Sequence, residues 1–168
     1  MKNIVLVGFS GSGKTTIGRA LAQRLGLGFV DLDSAIEEKY HCSIPHIFEK
    51  YGESVFRQCE YQTLKEKLAC SNIVLSTGGG APTYKNAMEL IHNEAFSIYL
   101  NLSEETLFDR LKFSKKNRPL TSSLSDGELR DYVRKTLQKR LPYYQMADLS
   151  VNEEDMDVDK IVEKIMKK

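Results

Sequence analysis

The feature that most constrains the fold is the segment GFSGSGKT, Gly8 to Thr15, which matches the pattern G-x-x-x-x-G-K-[ST] at every fixed position. The apolar run NIVLV (3–7) precedes it and predicts a strand that is buried on both faces. The segment after it repeats apolar residues every four positions and reaches a stop signal at Gly26, which predicts a helix. A glycine-rich turn between a strand and a helix presents N–H groups to an anion, so the segment predicts a phosphate-binding loop.

The composition is that of an ordinary globular protein, and it argues against several classes of function. A chain of 168 residues, 41% hydrophobic and 28% charged, predicts one domain over residues 1–168. A net charge of +1 argues against a protein that coats nucleic acid or a membrane surface. The first apolar run is too short for a secretory signal, and the 3 cysteines form no C-x-x-C pair. We therefore expect a cytoplasmic protein that binds neither nucleic acid nor membrane. We also expect a monomer, although nothing in the composition decides the oligomeric state.

Short apolar runs alternate with amphipathic segments along the chain. Besides residues 3–7, we expect strands in GFVDLD (28–33), NIVLST (72–77), AFSIYLNL (95–102) and ADLSVN (147–152). Such alternation predicts a three-layer α/β/α fold, with a parallel sheet of five strands between helices. Ligands of these sheets bind beyond the carboxyl ends of the strands. The phosphate-binding loop, the acidic pair of GFVDLD and the glycines of STGGGA would therefore meet at one edge.

The phosphate-binding loop predicts ATP or another nucleoside triphosphate, together with Mg²⁺, as its ligands. The Lys14 ammonium would bridge the β- and γ-phosphates, and the Thr15 hydroxyl would bind Mg²⁺. Backbone N–H groups would hold further phosphate oxygens. The residues expected to bind the nucleotide from this loop are Gly11, Ser12, Gly13, Lys14, Thr15 and Thr16.

An acidic pair, Asp31 and Asp33, stands at the end of the second predicted strand. Residues two apart in a strand share a face. Mg²⁺ beside one carboxylate and a substrate hydroxyl beside the other would relieve their repulsion. Two alternatives need no ligand: a solvated strand end, or Asp33 as the N-cap of a helix that begins at Ser34.

Six segments taken together resemble the shikimate kinase family: GFSGSGKTTIGRALAQRLG, DLDSAIE, SIPHIFEKYGESVFRQCE, STGGGA, RPL and KRLPYY. They run in family order from residue 4 to about residue 144, and their combination is far more specific than the phosphate-binding loop alone. The resemblance implies a P-loop kinase fold with strand order 2-3-1-4-5, similar to nucleoside-monophosphate kinases. It also implies transfer of the γ-phosphate of ATP, with Mg²⁺, to the 3-hydroxyl of shikimate.

The resemblance implies roles for residues in the acceptor site. A shikimate-binding segment over about residues 31–61 supplies Asp33, which contacts the hydroxyl groups and orients or deprotonates the one that attacks. Arg57 and Arg140 hold the substrate carboxylate. The residues that line the acceptor site are Gly78, Gly79 and Gly80.

The resemblance also implies roles around the nucleotide. Asp31 lies near Mg²⁺, and Arg110 lies near adenine. Arg118 reaches the phosphates from a mobile lid over about residues 110–124. The implied catalytic residues are Lys14, Asp33 and Arg118.

The residues themselves support the two carboxylate-binding arginines unequally. A monocarboxylate needs at least one bidentate arginine. Arg57 falls in a predicted helix with Glu60 one turn later to orient it, although a surface salt bridge to Glu53 or Glu60 explains it too. Nothing local separates Arg140 from the other basic residues of RKTLQKRL, so only the resemblance selects it.

Three features qualify the functional prediction. The basic segment RLKFSKKNR (110–118) could bind nucleic acid, but the near-neutral net charge favours a lid that closes over phosphates. The third predicted strand ends without the aspartate of a Walker B motif. After the last strand the sequence NEEDMD is acidic, where many relatives carry a basic residue near the base.

Two other functions are compatible with a phosphate-binding loop. One is another small-molecule kinase such as gluconate kinase, in which we would not expect DLD, FRxxE and GGG together. The other is a nucleotide-binding regulatory domain without catalysis. The presence of Lys14, Thr15, Asp33 and Arg118 argues against this second alternative.

Overall fold

A computed structural model of the chain describes residues 2–114 and 121–168. Within these ranges a single five-stranded parallel sheet has the order β2-β3-β1-β4-β5, which confirms the predicted fold class and strand order. The strands are β1 (Asn3–Val7), β2 (Gly28–Asp31), β3 (Ile73–Ser76), β4 (Ala95–Asn101) and β5 (Leu149–Asn152).

Helices cover both faces of the sheet. They are α1 (Lys14–Leu25), α2 (Leu32–Tyr40), α3 (Ile44–Leu68), α4 (Ala87–Glu94), α5 (Glu104–Phe113), α6 (Asp126–Tyr144) and α7 (Val158–Met166). The expected stop at Gly26 is confirmed by its left-handed φ of 69°. Helix α5 is capped by the Ser103 side chain, which accepts a hydrogen bond from the N–H of Thr106. Among the described residues, no helix is both long and apolar enough to span a membrane.

The core consists of two apolar layers, one on each face of the sheet. Successive residues of β1 point to opposite faces, so Val5 and Val7 pack on one side and Ile4 and Leu6 on the other. All four are at most 1% exposed, as expected for a strand buried on both faces. This central position fixes the loop that leaves the carboxyl end of β1.

The second strand is shorter than the sequence analysis predicted. It ends at Asp31, which becomes the N-cap of α2 and accepts a hydrogen bond from the N–H of Ser34 at 3.0 Å. Asp33 lies in the first turn of α2, so the expectation that Asp31 and Asp33 share one face of a strand is wrong. Asp33 is not the N-cap either. The capping hydrogen bond of Asp31 favours the start of a helix over continuation of the strand, so β2 ends at this residue.

Candidate active site

Three loops meet at the carboxyl edge of the sheet, as predicted. The segments after β1, β2 and β3 line a first cavity of about 460 Å³. Lys14 and Thr15 contribute from the first segment, Asp33 from the second and Gly79 from the third. The cavity therefore joins a phosphate-binding loop to acidic and glycine-rich walls.

The loop between β1 and α1 has the backbone geometry of an anion nest. Gly11 and Gly13 have φ angles of 81° and 92°, a left-handed conformation that favours glycine. Lys14 is buried, and its ammonium donates hydrogen bonds to the carbonyl oxygens of Gly8 at 2.7 Å and Phe9 at 2.8 Å. The positive end of the α1 dipole points to the same place, so the loop is prepared for a polyphosphate.

Thr15 and Asp31 form an oxygen pair beside this loop. The Thr15 hydroxyl donates a hydrogen bond to Asp31 Oδ2 at 3.1 Å. Hydroxyl and carboxylate oxygens are ligands that Mg²⁺ accepts, usually together with water and phosphate oxygens. Within residues 2–114 and 121–168, no three His, Cys, Asp or Glu side chains lie together in a way that could hold a metal ion. The pair thus fits a Mg²⁺ ion that arrives with a nucleotide, not a metal site built by protein alone.

Asp33 lies in the wall of the first cavity. By surface area Asp33 is an exposed residue, and it lines this cavity. Burial by this protein and, second, the Asp31 carboxylate raise the pKa of Asp33, whereas the Lys14 ammonium partly opposes that rise. Both effects disfavour the charged form of this carboxylate, so Asp33 accepts a proton more readily than an ordinary aspartate does.

Arg57 is held by two carboxylates on α3. Its Nη1 lies 2.8 Å from Glu60 Oε1 and its Nη2 lies 3.5 Å from Glu53 Oε1. The side chain of Glu60 is 2% exposed and that of Arg57 is 19% exposed, so the Arg57–Glu60 pair is not a surface salt bridge. Burial raises the pKa of Glu60, and the Arg57 guanidinium partly opposes that rise. The predicted orientation of Arg57 by Glu60 is present in the structure.

Tertiary structure separates Arg140 from a basic neighbour on α6, which sequence alone could not do. Arg134 is exposed and pairs with Asp131 at 2.7 Å. The Arg140 guanidinium instead lies 5.5 Å from the centroid of the Phe9 ring, next to the phosphate-binding loop. Arg57 and Arg140 both line a second cavity of about 560 Å³.

Two of the three glycines after β3 lie directly against these arginines. A Cβ atom on Gly79 would lie 2.7 Å from Arg140 Nη1 and 3.2 Å from the backbone nitrogen of Ser10. A Cβ atom on Gly80 would lie 2.5 Å from Arg57 Nη2. The guanidinium groups thus occupy the space that side chains at these positions would need.

The remaining glycine lies against the acids. A Cβ atom on Gly78 would lie 3.1 Å from Glu60 Oε2 and 3.3 Å from Asp33 Oδ1. Gly78, Gly79 and Gly80 have no left-handed φ angle, so their backbone conformation does not demand glycine. The triplet makes room for the charged side chains of the site.

The chain is similar to a known protein family, to individual proteins and to solved structures. A family model described as shikimate kinase matches residues 10–168. A shikimate kinase from Parabacteroides distasonis is 40% identical, with 99% of each chain covered. The crystal structure of shikimate kinase from Bacteroides thetaiotaomicron is similar at a TM-score of 0.91, with 35% identity over 99% of this chain and 97% of that one.

This chain belongs to the shikimate kinase family. Another similar structure is a shikimate kinase from Acinetobacter baumannii in complex with shikimate. It has a TM-score of 0.88 and 36% identity, over 99% of this chain and 92% of that one. The family resemblance found in the sequence is therefore confirmed over nearly the whole chain.

The lid predicted for this family member is described only in part. Arg110 lies near the end of α5, and its Nη1 donates a hydrogen bond to the carbonyl oxygen of Gly11 at 3.2 Å. The guanidinium therefore already lies against the phosphate-binding loop. Arg118 lies outside the described residues.

The acidic segment after β5 has structural partners of its own. The Glu153 carboxylate accepts a hydrogen bond from the N–H of Ser103, the N-cap of α5, at 2.6 Å. Asp155 pairs with Lys160 and Lys164. These acids connect β5 to the neighbouring helices α5 and α7.

Sequence reasoning missed several residues that line the cavities of this shikimate kinase family member. Ser10 lines the first cavity from a variable position of the loop motif. Phe48 and Tyr132 line the second cavity. Phe48 lies in one of the segments that carry the family resemblance, and this was the available signal. Tyr132 has none, because only the packing of α6 brings it to the cavity.

Proposed function

We propose that this chain transfers the γ-phosphate of ATP to the 3-hydroxyl of shikimate, giving shikimate 3-phosphate and ADP. This reaction belongs to the pathway that leads to chorismate and aromatic amino acids. One observation carries the proposal beyond family membership. Asp33 lies in the same cavity as the phosphate-binding loop, while the adjoining glycine triplet lies against two arginines suited to a carboxylate.

The nucleotide side of the site consists of backbone donors and a few side chains. Thr15 and Asp31 would hold Mg²⁺, which when bound neutralises charge on the phosphates. Lys14 would exchange its hydrogen bonds to loop carbonyls for contacts to the β- and γ-phosphates. Arg110 would lie beside the nucleotide, and Arg118 remains a sequence-based proposal for a phosphate contact from the lid.

The acceptor side consists mainly of side chains. Arg57 and Arg140 would bind the substrate carboxylate, since paired guanidinium groups suit such an anion. Asp33 would accept the hydrogen bond of the attacking hydroxyl and hold it in line with the phosphate. Because phosphoryl transfer passes through a loose transition state, this alignment contributes more than proton removal.

The experiment that tests the proposal measures ADP release by a coupled assay with shikimate, with gluconate and with no acceptor. We expect release that depends on shikimate, and shikimate 3-phosphate as the product by ³¹P NMR. Release that depends on gluconate would instead indicate the other small-molecule kinase. No stimulation by either acceptor would indicate a nucleotide-binding domain and contradict the proposal.

Asp33→Asn tests the role of the acid within this function. The amide keeps the size of the side chain but loses its charge and basicity, so kcat should fall about a hundredfold. The KM for ATP should stay within about twofold of the parent value, because the phosphate contacts are made elsewhere. If ATP affinity collapsed while kcat survived, Asp33 would belong to the metal site and its proposed role would be wrong.

The expectation of a cytoplasmic monomer without a nucleic-acid partner stays a prediction. Light scattering after size exclusion would test the monomer directly, with a mass near 19.1 kDa as the expected result. A mass twice that value would contradict it.

A further inference from the structure

The carbonyl groups of the glycine triplet are held in two different ways. The Gly78 oxygen accepts a hydrogen bond from the N–H of Ala81, and the Gly80 oxygen accepts from the N–H and hydroxyl of Thr83. Both contacts are local. The Gly79 oxygen accepts a hydrogen bond from the hydroxyl of Tyr144 at 2.6 Å, across 65 positions of sequence. Among the described residues, this is the carbonyl of the triplet that is tied to another element.

Tyr144 is built into the core as a fixed donor. It is the last residue of α6, is 0% exposed and stacks on the ring of Tyr99, with centroids 5.2 Å apart. Burial raises the pKa of Tyr144 to about 12, although the Arg140 guanidinium partly opposes that rise. The phenol therefore keeps its proton at neutral pH and always has a hydrogen to donate.

Gly79 is thus contacted from α6 by two side chains of the same helix face. Tyr144 follows Arg140 by four residues, which places both side chains on one side of the helix. The phenol binds the Gly79 carbonyl, and the Arg140 guanidinium fills the space beside the Gly79 α-carbon. Any shift of this glycine changes the space available to the arginine, because protein interiors are close-packed.

We propose that Tyr144 is a positioning residue for the acceptor: its hydroxyl fixes the Gly79 carbonyl and thereby holds Arg140 where it binds the carboxylate of shikimate. This inference rests on the proposed function, because it assigns Tyr144 to the acceptor side of the same site. Tyr144 is not catalytic, since it lies in the core and acts through Gly79 and Arg140.

The test compares Tyr144→Phe with the matched variant Tyr99→Phe. Each substitution removes one hydroxyl from the same stacked pair and keeps both rings. The hydroxyl of Tyr99 makes no hydrogen bond to the described residues, so its loss should leave both KM values and kcat within about twofold. Tyr144→Phe leaves a buried carbonyl without its donor, and the KM for shikimate should rise about tenfold. We expect kcat and the KM for ATP to change less than about twofold in this variant.

A second measurement does not depend on activity. Hydrogen exchange of the peptide that spans residues 77–81 should be faster in Tyr144→Phe than in Tyr99→Phe, in the absence of ligands. Circular dichroism ensures that folded chains are compared. Equal exchange together with an unchanged shikimate KM would overturn the inference, and so would a parallel rise in the KM values for shikimate and ATP.

The experiments distinguish a failure of the proposed function from a failure of the role assigned to Tyr144. If the parent chain shows no shikimate-dependent ADP release, the proposed function fails and the inference fails with it. If the parent chain is active and Tyr144→Phe behaves like Tyr99→Phe, only the role of Tyr144 is wrong.

Discussion

Two glycine-rich loops lie at the same edge of the sheet, and they need glycine for different reasons. In the phosphate-binding loop, Gly11 and Gly13 have left-handed φ angles that other residues rarely adopt. In the triplet Gly78–Gly80, no φ angle is left-handed, yet a Cβ atom at any position would contact a charged side chain at 3.3 Å or less. The first loop needs glycine mainly for conformation, although a Cβ atom on Gly13 would also lie 3.3 Å from Arg110 Nη1, and the second needs it for space alone.

These two requirements for glycine indicate how the two reactants would be recognised. Phosphates would be bound mainly by backbone N–H groups, which depend on the path of the chain. The acceptor would be bound by side chains that are packed against the backbone of the glycine triplet. Substitutions in the two loops should therefore affect different substrates, and the glycine variants below test that difference.

The largest effect is expected for Lys14→Met, in the phosphate-binding loop. This change removes the buried ammonium that would stabilise the transferring phosphoryl group, so kcat should fall roughly 10²- to 10³-fold. Steady-state ADP release measures it, with the exposed Lys2→Met as the control. A fall in kcat of less than tenfold would show that phosphate stabilisation does not depend on this lysine.

The next largest effect is expected for Gly80→Ala, in the triplet. The added methyl group would meet the Arg57 guanidinium at 2.5 Å, and Arg57 is held in place by Glu53 and Glu60. Displacement of a binding group by about 1 Å can cost as much as about a hundredfold, so the KM for shikimate should rise roughly ten- to a hundredfold.

Gly127→Ala is the matched control for this change. Gly127 lies in the first turn of α6, and apart from its chain neighbours and the helix backbone, no atom of the described residues lies within 4 Å of an added Cβ atom. Its substitution should change neither KM value. An unchanged KM for shikimate in Gly80→Ala would contradict the proposal that the triplet makes room for Arg57.

A smaller effect is expected for Gly13→Ala, in the phosphate-binding loop. Alanine at a φ of 92° is strained by about 1–2 kcal/mol, and relief of that strain would turn an N–H group away from the phosphates. The KM for ATP should rise roughly five- to tenfold and the melting temperature should fall by a few degrees. Steady-state kinetics compared with Gly127→Ala, and thermal melting compared with the parent chain, check the two parts.

The smallest effect concerns the stability of the folded chain. The pKa of Asp33 is raised from its ordinary value of 3.8, so the folded state binds the proton more tightly than the unfolded state. The free energy of unfolding should therefore decline as pH rises from about 4 through the raised pKa. Asp33→Asn lacks this charge. At pH 7 it should be more stable than the parent chain by less than about 1 kcal/mol, because solvent in the cavity screens the charge.

Urea unfolding at pH 7 and at pH 3 measures this difference, which should disappear at the lower pH. The exposed Asp109→Asn serves as the control, with no expected gain. A variant that is less stable than the parent chain at pH 7 would show that Asp33 stabilises the fold.

Local sequence predicted the nucleotide side of the site better than the acceptor side. The phosphate-binding loop lies within one strand–loop–helix unit, so its motif and its structure coincide. The triplet contacts Arg57 and Arg140, which lie far from it in the chain, and no local pattern encodes those contacts. Sequence reasoning found the arginines through the family resemblance. It could not find that glycines give them room.

Some local predictions were wrong because two signals competed, and others were incomplete because the helical pattern was short or interrupted. Asp31 ends a strand and caps a helix, and the capping interaction shortened β2. The eight-residue helix α4 was missed, since a short helix shows few repeats of the helical pattern. In α3, the left-handed Gly52 separates two helical parts, and the helix predicted around Arg57 corresponds to the second part.

The claim that the two loops serve different reactants is tested most directly by measuring both KM values in one variant of each loop. The KM values for shikimate and for ATP are determined in Gly13→Ala and in Gly80→Ala under identical conditions. We expect Gly13→Ala to raise the KM for ATP and Gly80→Ala to raise the KM for shikimate, each leaving the other KM within about twofold. If both variants raised both KM values by similar factors, the two loops would not serve different reactants.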